Sequence, residues 1–250
     1  MSKVFNELIS PKEIFNRLID DMKNWVNEKV IINQFQSYHN PQYQLKQLNK
    51  AHKTEDGSSL MHIAACHGYL KVIQEITEDR SNVNLKNNSN QTPLHVACLL
   101  GRLDIVKKLI DCDADIDAQD SRGNTPLKYA CFNNETDTIK FIIGYGANVN
   151  LSSNTNWSPL HHACENGNED VVEILLLNGA NRKAVTKQGY SPLSIAQDYK
   201  KSQKILDMIE GKIVIDTKST VLRLSQNGIF NISDKHETNN WNPKEITPNI

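Results

Sequence analysis

Ser59-Leu-Met-His-Ile-Ala64, Thr92-Pro-Leu-His-Val-Ala97, Thr125-Pro-Leu-Lys-Tyr-Ala130, Ser158-Pro-Leu-His-His-Ala163 and Ser191-Pro-Leu-Ser-Ile-Ala196 are five copies of one hexapeptide pattern, spaced by 33 residues without insertion or deletion. A fixed period of this length means that one supersecondary unit is copied and stacked, because a single copy cannot bury its own apolar face. Ser or Thr before Pro marks a helix start: the hydroxyl caps free backbone N–H groups, and Pro fits the first turn, where its missing donor costs nothing. A first helix, helix A, is therefore expected to begin at 59, 92, 125, 158 and 191. Gly68, Gly101, Asn134 and Gly167 stand nine residues further on, and Gly or Asn suits the left-handed residue that ends a short helix. Helix A is thus about two turns long.

A second helix, helix B, follows with apolar residues at helical spacing: Val72, Ile73 and Ile76; Ile105, Val106, Leu109 and Ile110; Ile139, Ile142 and Ile143; Val171, Val172, Leu175 and Leu176. Each unit closes on Arg80-Ser-Asn-Val-Asn84, Asp113-Ala-Asp-Ile-Asp117, Gly146-Ala-Asn-Val-Asn150 or Gly179-Ala-Asn-Arg-Lys183. Arg80 and Asp113 stand where later units have Gly, and Leu60 replaces Pro, so the first unit departs most from the pattern.

The period and the Thr-Pro-Leu-His-x-Ala signature make the chain resemble the ankyrin-repeat family over residues 54–212. The resemblance implies an all-α ankyrin-repeat solenoid of about five helix-turn-helix repeats (54–86, 87–119, 120–152, 153–185 and 186–212) joined by projecting β-hairpin loops. It also implies a non-catalytic protein-protein interaction module, with the partner docking on the concave face made by helix A and the hairpin tips.

Residues 1–53 are expected to form a helical N-terminal cap. Ser10-Pro11-Lys12-Glu13 reads as a capping box opening an amphipathic helix of about five or more turns, with Ile14, Phe15, Leu18, Ile19, Met22, Trp25 and Val26 at helical spacing. Asn40-Pro41 starts a shorter helix carrying Leu45 and Leu48. The alternative role for these helices is dimerisation or targeting. The polar outer face of Lys200, Lys201, Lys204, Asp207 and Glu210 ends the stack near Gly211. Residues 213–250 form a C-terminal extension, with a short hairpin around Asn227-Gly228 and then a polar tail in which Trp241 is a candidate anchor.

A formal net charge of -1 argues against a polyanion as the main partner, since phosphate binding needs clustered Lys and Arg. No run reaches transmembrane length and no secretory leader is evident, so a soluble, cytoplasmic protein, monomeric by default, is expected. Lys outnumbers Arg 22 to 6 and Asn occurs 29 times, a bias of A- and T-rich codons. That bias motivates an alternative reading, a host-directed effector of an intracellular bacterium or virus, delivered into a host cell.

Five Cys and recurrent His invite a catalytic or metal reading. Cys98, Cys131 and Cys164, however, all follow the repeated Ala of helix A and read as small core residues. Neighbouring helices pack about 8–10 Å apart, whereas a disulfide needs Cα atoms within about 4.4–6.8 Å, so equivalent Cys are too distant to bridge. His62, His95 and His161 recur in register, and the family places His there to tie neighbouring loops. An enzyme using Cys164 with His161 or His162 is the remaining alternative, and no Asp or Asn orienter, phosphate loop or paired Cys-x-x-Cys supports it. No cofactor, metal or catalytic residue is assigned.

The candidate partner-binding residues are the variable ones: Leu99, Leu100, Arg122, Asn124, Phe132, Asn133, Asn154, Trp157, Glu165 and Tyr190. The large apolar members occupy positions that the stack does not need to bury, and such patches mark interaction sites.

Overall fold

The structure, a computed structural model, describes residues 11–24, 31, 33, 41–77, 82–213 and 215. The chain divides into two units, Met1–Val214 and Ile215–Ile250. The expected hairpin around Asn227-Gly228 and the Trp241 segment lie outside the described residues, as do Ser10, Trp25 and Val26.

Among the described residues twelve helices are bounded, and there is no strand. Two precede the repeats, α1 (Pro11–Lys23) and α2 (Pro41–Ala51). The others alternate as helix A and helix B: α3 (Leu60–His67) and α4 (Leu70–Ile76); α5 (Pro93–Leu99) and α6 (Leu103–Asp111); α7 (Pro126–Phe132) and α8 (Thr136–Gly144); α9 (Pro159–Asn166) and α10 (Glu169–Leu177); α11 (Pro192–Asp198) and α12 (Gln203–Glu210). Each helix A packs on the next helix A, and each helix B on the next helix B.

The hexapeptide explains where helix A begins and ends. Ser59, Thr92, Thr125, Ser158 and Ser191 all have extended backbone just before the first helical residue. The helix then stops on a left-handed residue: Gly68 (φ 83°), Gly101 (φ 61°), Asn134 (φ 64°) and Gly167 (φ 79°), with Lys200 (φ 51°) taking the place in the last repeat. Core packing follows from the same period. Met61, Leu94, Leu127 and Leu160 are fully buried, as are Ala64, Ala97, Ala130, Ala163 and Ala196. The small Ala and Cys side chains let successive helices A approach closely, and the aliphatic stripes of helix B fill the second layer.

The cap copies this two-layer plan. Helix α1 lies against helix A of the first repeat, and α2 against its helix B. Phe15, Leu18, Ile19 and Met22 are buried on the first, and Leu45 and Leu48 on the second. Tyr69 Oη donates to the Met22 carbonyl at 3.2 Å, and the Met61 N–H donates to Asn49 Oδ1 at 2.9 Å. The first repeat, lacking Pro, therefore has one of its free helix-start donors satisfied from the cap. Helix α1 ends at Lys23, shorter than the five turns the apolar spacing suggests.

The hairpin loops are closed turns rather than strand ladders among the described residues. In each, one N–H reaches the carbonyl four residues on: Thr54 to Ser58, Asn87 to Gln91, Asp120 to Asn124, Ser153 to Trp157 and Thr186 to Tyr190. The tip residue is left-handed every time: Gly57, Asn90, Gly123, Asn156 and Gly189. Adjacent tips are joined backbone to backbone, with N–H groups of Asn88, Ser121, Asn154 and Lys187 donating to Asp56, Ser89, Arg122 and Thr155. A Cβ on Gly123 would come within 2.9 Å of the Asn154 backbone nitrogen, so that approach requires glycine.

Candidate binding face

Helix A and the tips supply one continuous face, and its histidines divide into two chemical classes. His62, His95 and His161 are scaffold. Each Nδ1 accepts the N–H of the residue capping its own helix, Ser59 (3.2 Å), Thr92 (3.0 Å) or Ser158 (3.1 Å). Each Nε2 lies against a carbonyl of the next repeat, Gln91 (2.9 Å), Asn124 (3.1 Å) or Tyr190 (3.2 Å). A carbonyl only accepts, so Nε2 carries the proton and both nitrogens are used. Burial pushes all three imidazoles down, His62 to about 4, because a charged ring would be desolvated and would lose its Nδ1 acceptor role.

This arrangement weakens the Cys/His enzyme reading on chemical grounds. Cys164 is fully buried and its thiol is pushed up to about 12, the opposite of an activated nucleophile. His161 has both nitrogens occupied elsewhere. Among the described residues no three His, Cys, Asp or Glu side chains converge as metal ligands.

His162 belongs to the second class. It follows His161 in the slot held by Ile63, Val96, Tyr129 and Ile195 in the other repeats. The Phe132 ring meets it edge-on at 5.6 Å between centroids, and the Trp157 ring lies 4.9 Å away. Its Nδ1 donates to Glu165 Oε2 at 3.2 Å, and Tyr199 Oη donates to Glu165 Oε1 at 3.3 Å. With the proton on Nδ1, Nε2 is left a bare acceptor, and it is buried with no hydrogen-bond partner. A buried polar atom without a partner costs about 1–3 kcal/mol. Burial, with the Lys128 ammonium adding to it, pushes His162 down to about 4.

Lys128 is the other departure, standing where the remaining repeats have His or Ser. Without the imidazole, the ring-to-carbonyl tie to the next repeat is missing between repeats three and four, and Asn166 Nδ2 links these two helices A by donating to the Cys131 and Phe132 carbonyls. Its ammonium donates to Asn124 Oδ1, a neutral amide, and burial lowers its pKa. Restoring the pattern with Lys128→His is expected to raise unfolding stability by about 1 kcal/mol, one added hydrogen bond, in a urea titration.

The ten residues singled out from the sequence fall into three groups. Phe132, Trp157 and Glu165 come together around His162; Phe132 is 54% exposed and Trp157 is half-buried. Leu100, Arg122 and Tyr190 are exposed on the same run of helices and tips, and Leu99 is half-buried. Asn124, Asn133 and Asn154 hold the stack. Asn124 is buried against Asp120, Asn133 Nδ2 donates to the Leu99 carbonyl at 2.7 Å, and Asn154 Nδ2 to the Ser121 carbonyl at 3.1 Å. His162, Lys128, Tyr129 and Tyr199 were not among the ten. Tyr129 Oη donates to Asp120 Oδ2 and accepts from Gln91 Nε2, both at 2.8 Å, bridging repeats two and three. The slot after the repeated His held the signal, since it turns from aliphatic to Tyr and His only in repeats three and four.

A family model described as ankyrin repeats in three copies matches the chain in four overlapping stretches, residues 29–120, 61–153, 102–186 and 127–218. The chain belongs to the ankyrin-repeat family. The matched span includes part of the segment preceding the first hexapeptide, in keeping with the two-layer plan of this ankyrin protein's cap. No curated protein matches the chain. Ankyrin repeats are generally protein-protein interaction modules, and the family is typically non-enzymatic. No helix among the described residues is long and apolar enough to cross a membrane.

Proposed function

We propose that this ankyrin stack binds a partner protein on its helix-A face, centred on Phe132, Trp157, His162 and Tyr199 at repeats three to five. The carrying observation is that large aromatic side chains gather there around a buried histidine, with Phe132 54% and Tyr199 55% exposed although neither is needed by the core. Aromatic anchors rimmed by polar groups are the usual energetic centre of an interface. The tips are tied to one another by backbone hydrogen bonds, so the surface is preorganised and little conformational entropy is lost on binding.

Phe132→Ala separates binding from folding. The ring is more than half exposed, so its loss is expected to change stability by no more than about 0.5 kcal/mol. Binding should fall by at least about tenfold if the ring is an anchor. Affinity capture with the full chain beside this variant checks both, with denaturation curves on each. Partners retained equally by the two proteins would count against the assignment. Trp157→Ala is a poorer choice, because its ring packs on His161 and His162 and its removal would disturb the scaffold.

A further inference from the structure

The seam between repeats three and four carries a half-buried ammonium, Lys128, that Asp120 and Glu165 attract from a distance without forming an ion pair with it. Lys128 is half-buried, with Arg122 beside it on the tip of the same repeat. The two nearby carboxylates are already engaged. Asp120 accepts from the backbone N–H groups of Arg122 and Asn124, from Asn124 Nδ2 and from Tyr129 Oη. Glu165 is held by His162 Nδ1 and Tyr199 Oη. Among the described residues neither carboxylate comes within ion-pair distance of Lys128, whose neutral Asn124 partner leaves ammonium donors unspent. The same seam holds the unpartnered Nε2 of His162, itself 9% exposed, between the Phe132 and Trp157 rings. Lys128 also occupies the one position where a histidine would have tied the two repeats. The pattern is thus broken where the aromatic side chains gather, as expected of a position set by binding and not by stability.

We propose that this seam takes an acidic segment of the partner protein, with a carboxylate against Lys128 and Arg122 and an adjoining apolar side chain against Phe132 and Trp157. The proposal rests on the helix-A face being the binding face and specifies its partner. Charge complementarity of this kind selects among partners that all offer apolar side chains, because a partner lacking the anion leaves the half-buried ammonium uncompensated.

The test selects a phage-displayed random-peptide library on the full-length chain and measures a synthetic winner by fluorescence polarisation. Winners are expected to carry Asp or Glu beside an aromatic or large aliphatic residue. Lys128→Gln should weaken the winner by about tenfold or more. Lys128→His should weaken it similarly while melting higher than the parent, which excludes misfolding as the cause. Changing the acidic residue of the peptide to its amide should weaken binding to the parent more than to the Lys128→Gln variant. Winners without acidic residues, or affinity for both Lys128 variants equal to that for the parent, would overturn the proposal. If Phe132→Ala still abolished binding in that case, the face would stand and only the acidic partner would fall. If neither Phe132 nor Lys128 mattered, both readings would fail. Tighter binding of a labelled oligothymidylate than of any winner would reassign the cations to phosphate.

Discussion

Lowering the pH from about 7 to about 4 is expected to strip several kcal/mol from the stability of this protein through its buried histidines. The sign follows from the histidines. In the unfolded chain His takes up a proton near pH 6.5, whereas folded His62 resists until about 4. Between those values the unfolded state binds more protons, so stability is complete above about 6.5 and falls as pH drops toward the folded value. At about 1.4 kcal/mol per pKa unit, His62 alone accounts for about 3 kcal/mol. His95 and His161 are shifted the same way by the same burial and add to the loss, as does His162 with its folded value of about 4. Asp56 and Asp120, whose carboxyls accept several hydrogen bonds, lie below their ordinary value, so their contributions disappear only at still lower pH. Urea titrations at pH 7.5, 5.5 and 4.5 measure the slope. His62→Ser, which copies the Ser191–Ser194 pair of the last repeat, should flatten it. A stability unchanged between pH 7.5 and 4.5 would show that the scaffold histidines are not held neutral.

Leu94→Ala is expected to cost about 2–5 kcal/mol, because it removes a fully buried side chain from a layer that cannot collapse around the cavity. The protein contains its own control. Leu193 fills the same slot in the last repeat but is only partly buried, with no following helix A among the described residues to cover it. Its truncation should cost well under half as much. Unfolding midpoints for the two variants at equal m-value decide the matter. Similar costs at both positions would contradict the register of the stack. Because each repeat contacts only its neighbours, the Leu94 variant is also the one in which two-state unfolding is expected to break down first.

Much of the architecture was legible because each rule concerned a single repeat. A hydroxyl before Pro starts helix A, and Gly or Asn nine residues later ends it, as at Thr92 and Gly101. What one repeat does not contain was harder to read. The loops were expected as hairpins with strands. Each loop closes on itself with one backbone hydrogen bond and adds another to the neighbouring tip, as from Asn88 to Asp56, a partner more than thirty residues away in sequence. The same effect hid the roles of Asn124, Asn133 and Asn154, which look like displayed polar groups until the adjoining repeat supplies a carbonyl or carboxylate.

The candidate site shows the complementary failure. Phe132 and Trp157 stood out as large apolar residues where the stack needs none. His162 did not, because in the sequence it reads only as a possible partner of Cys164 in the enzyme alternative, and nothing in the repeat places it beside Phe132 and Trp157. One position further along helix A than His161, the ring faces different groups, and Glu165 reverses which nitrogen holds the proton. That reversal arises from a carboxylate one helical turn away and not from anything in the repeated pattern.

Hydroxyl-radical footprinting of the full chain with a captured partner tests the central claim most directly. Phe132 and Tyr199 on the helix-A face, and Tyr145 just beyond α8, are all about equally exposed in the free protein, at 54%, 55% and 55%. Oxidation of Phe132 and Tyr199 should fall on binding while that of Tyr145 is unchanged. Protection of Tyr145 with Phe132 and Tyr199 still oxidised would place the partner on the opposite surface and contradict the account.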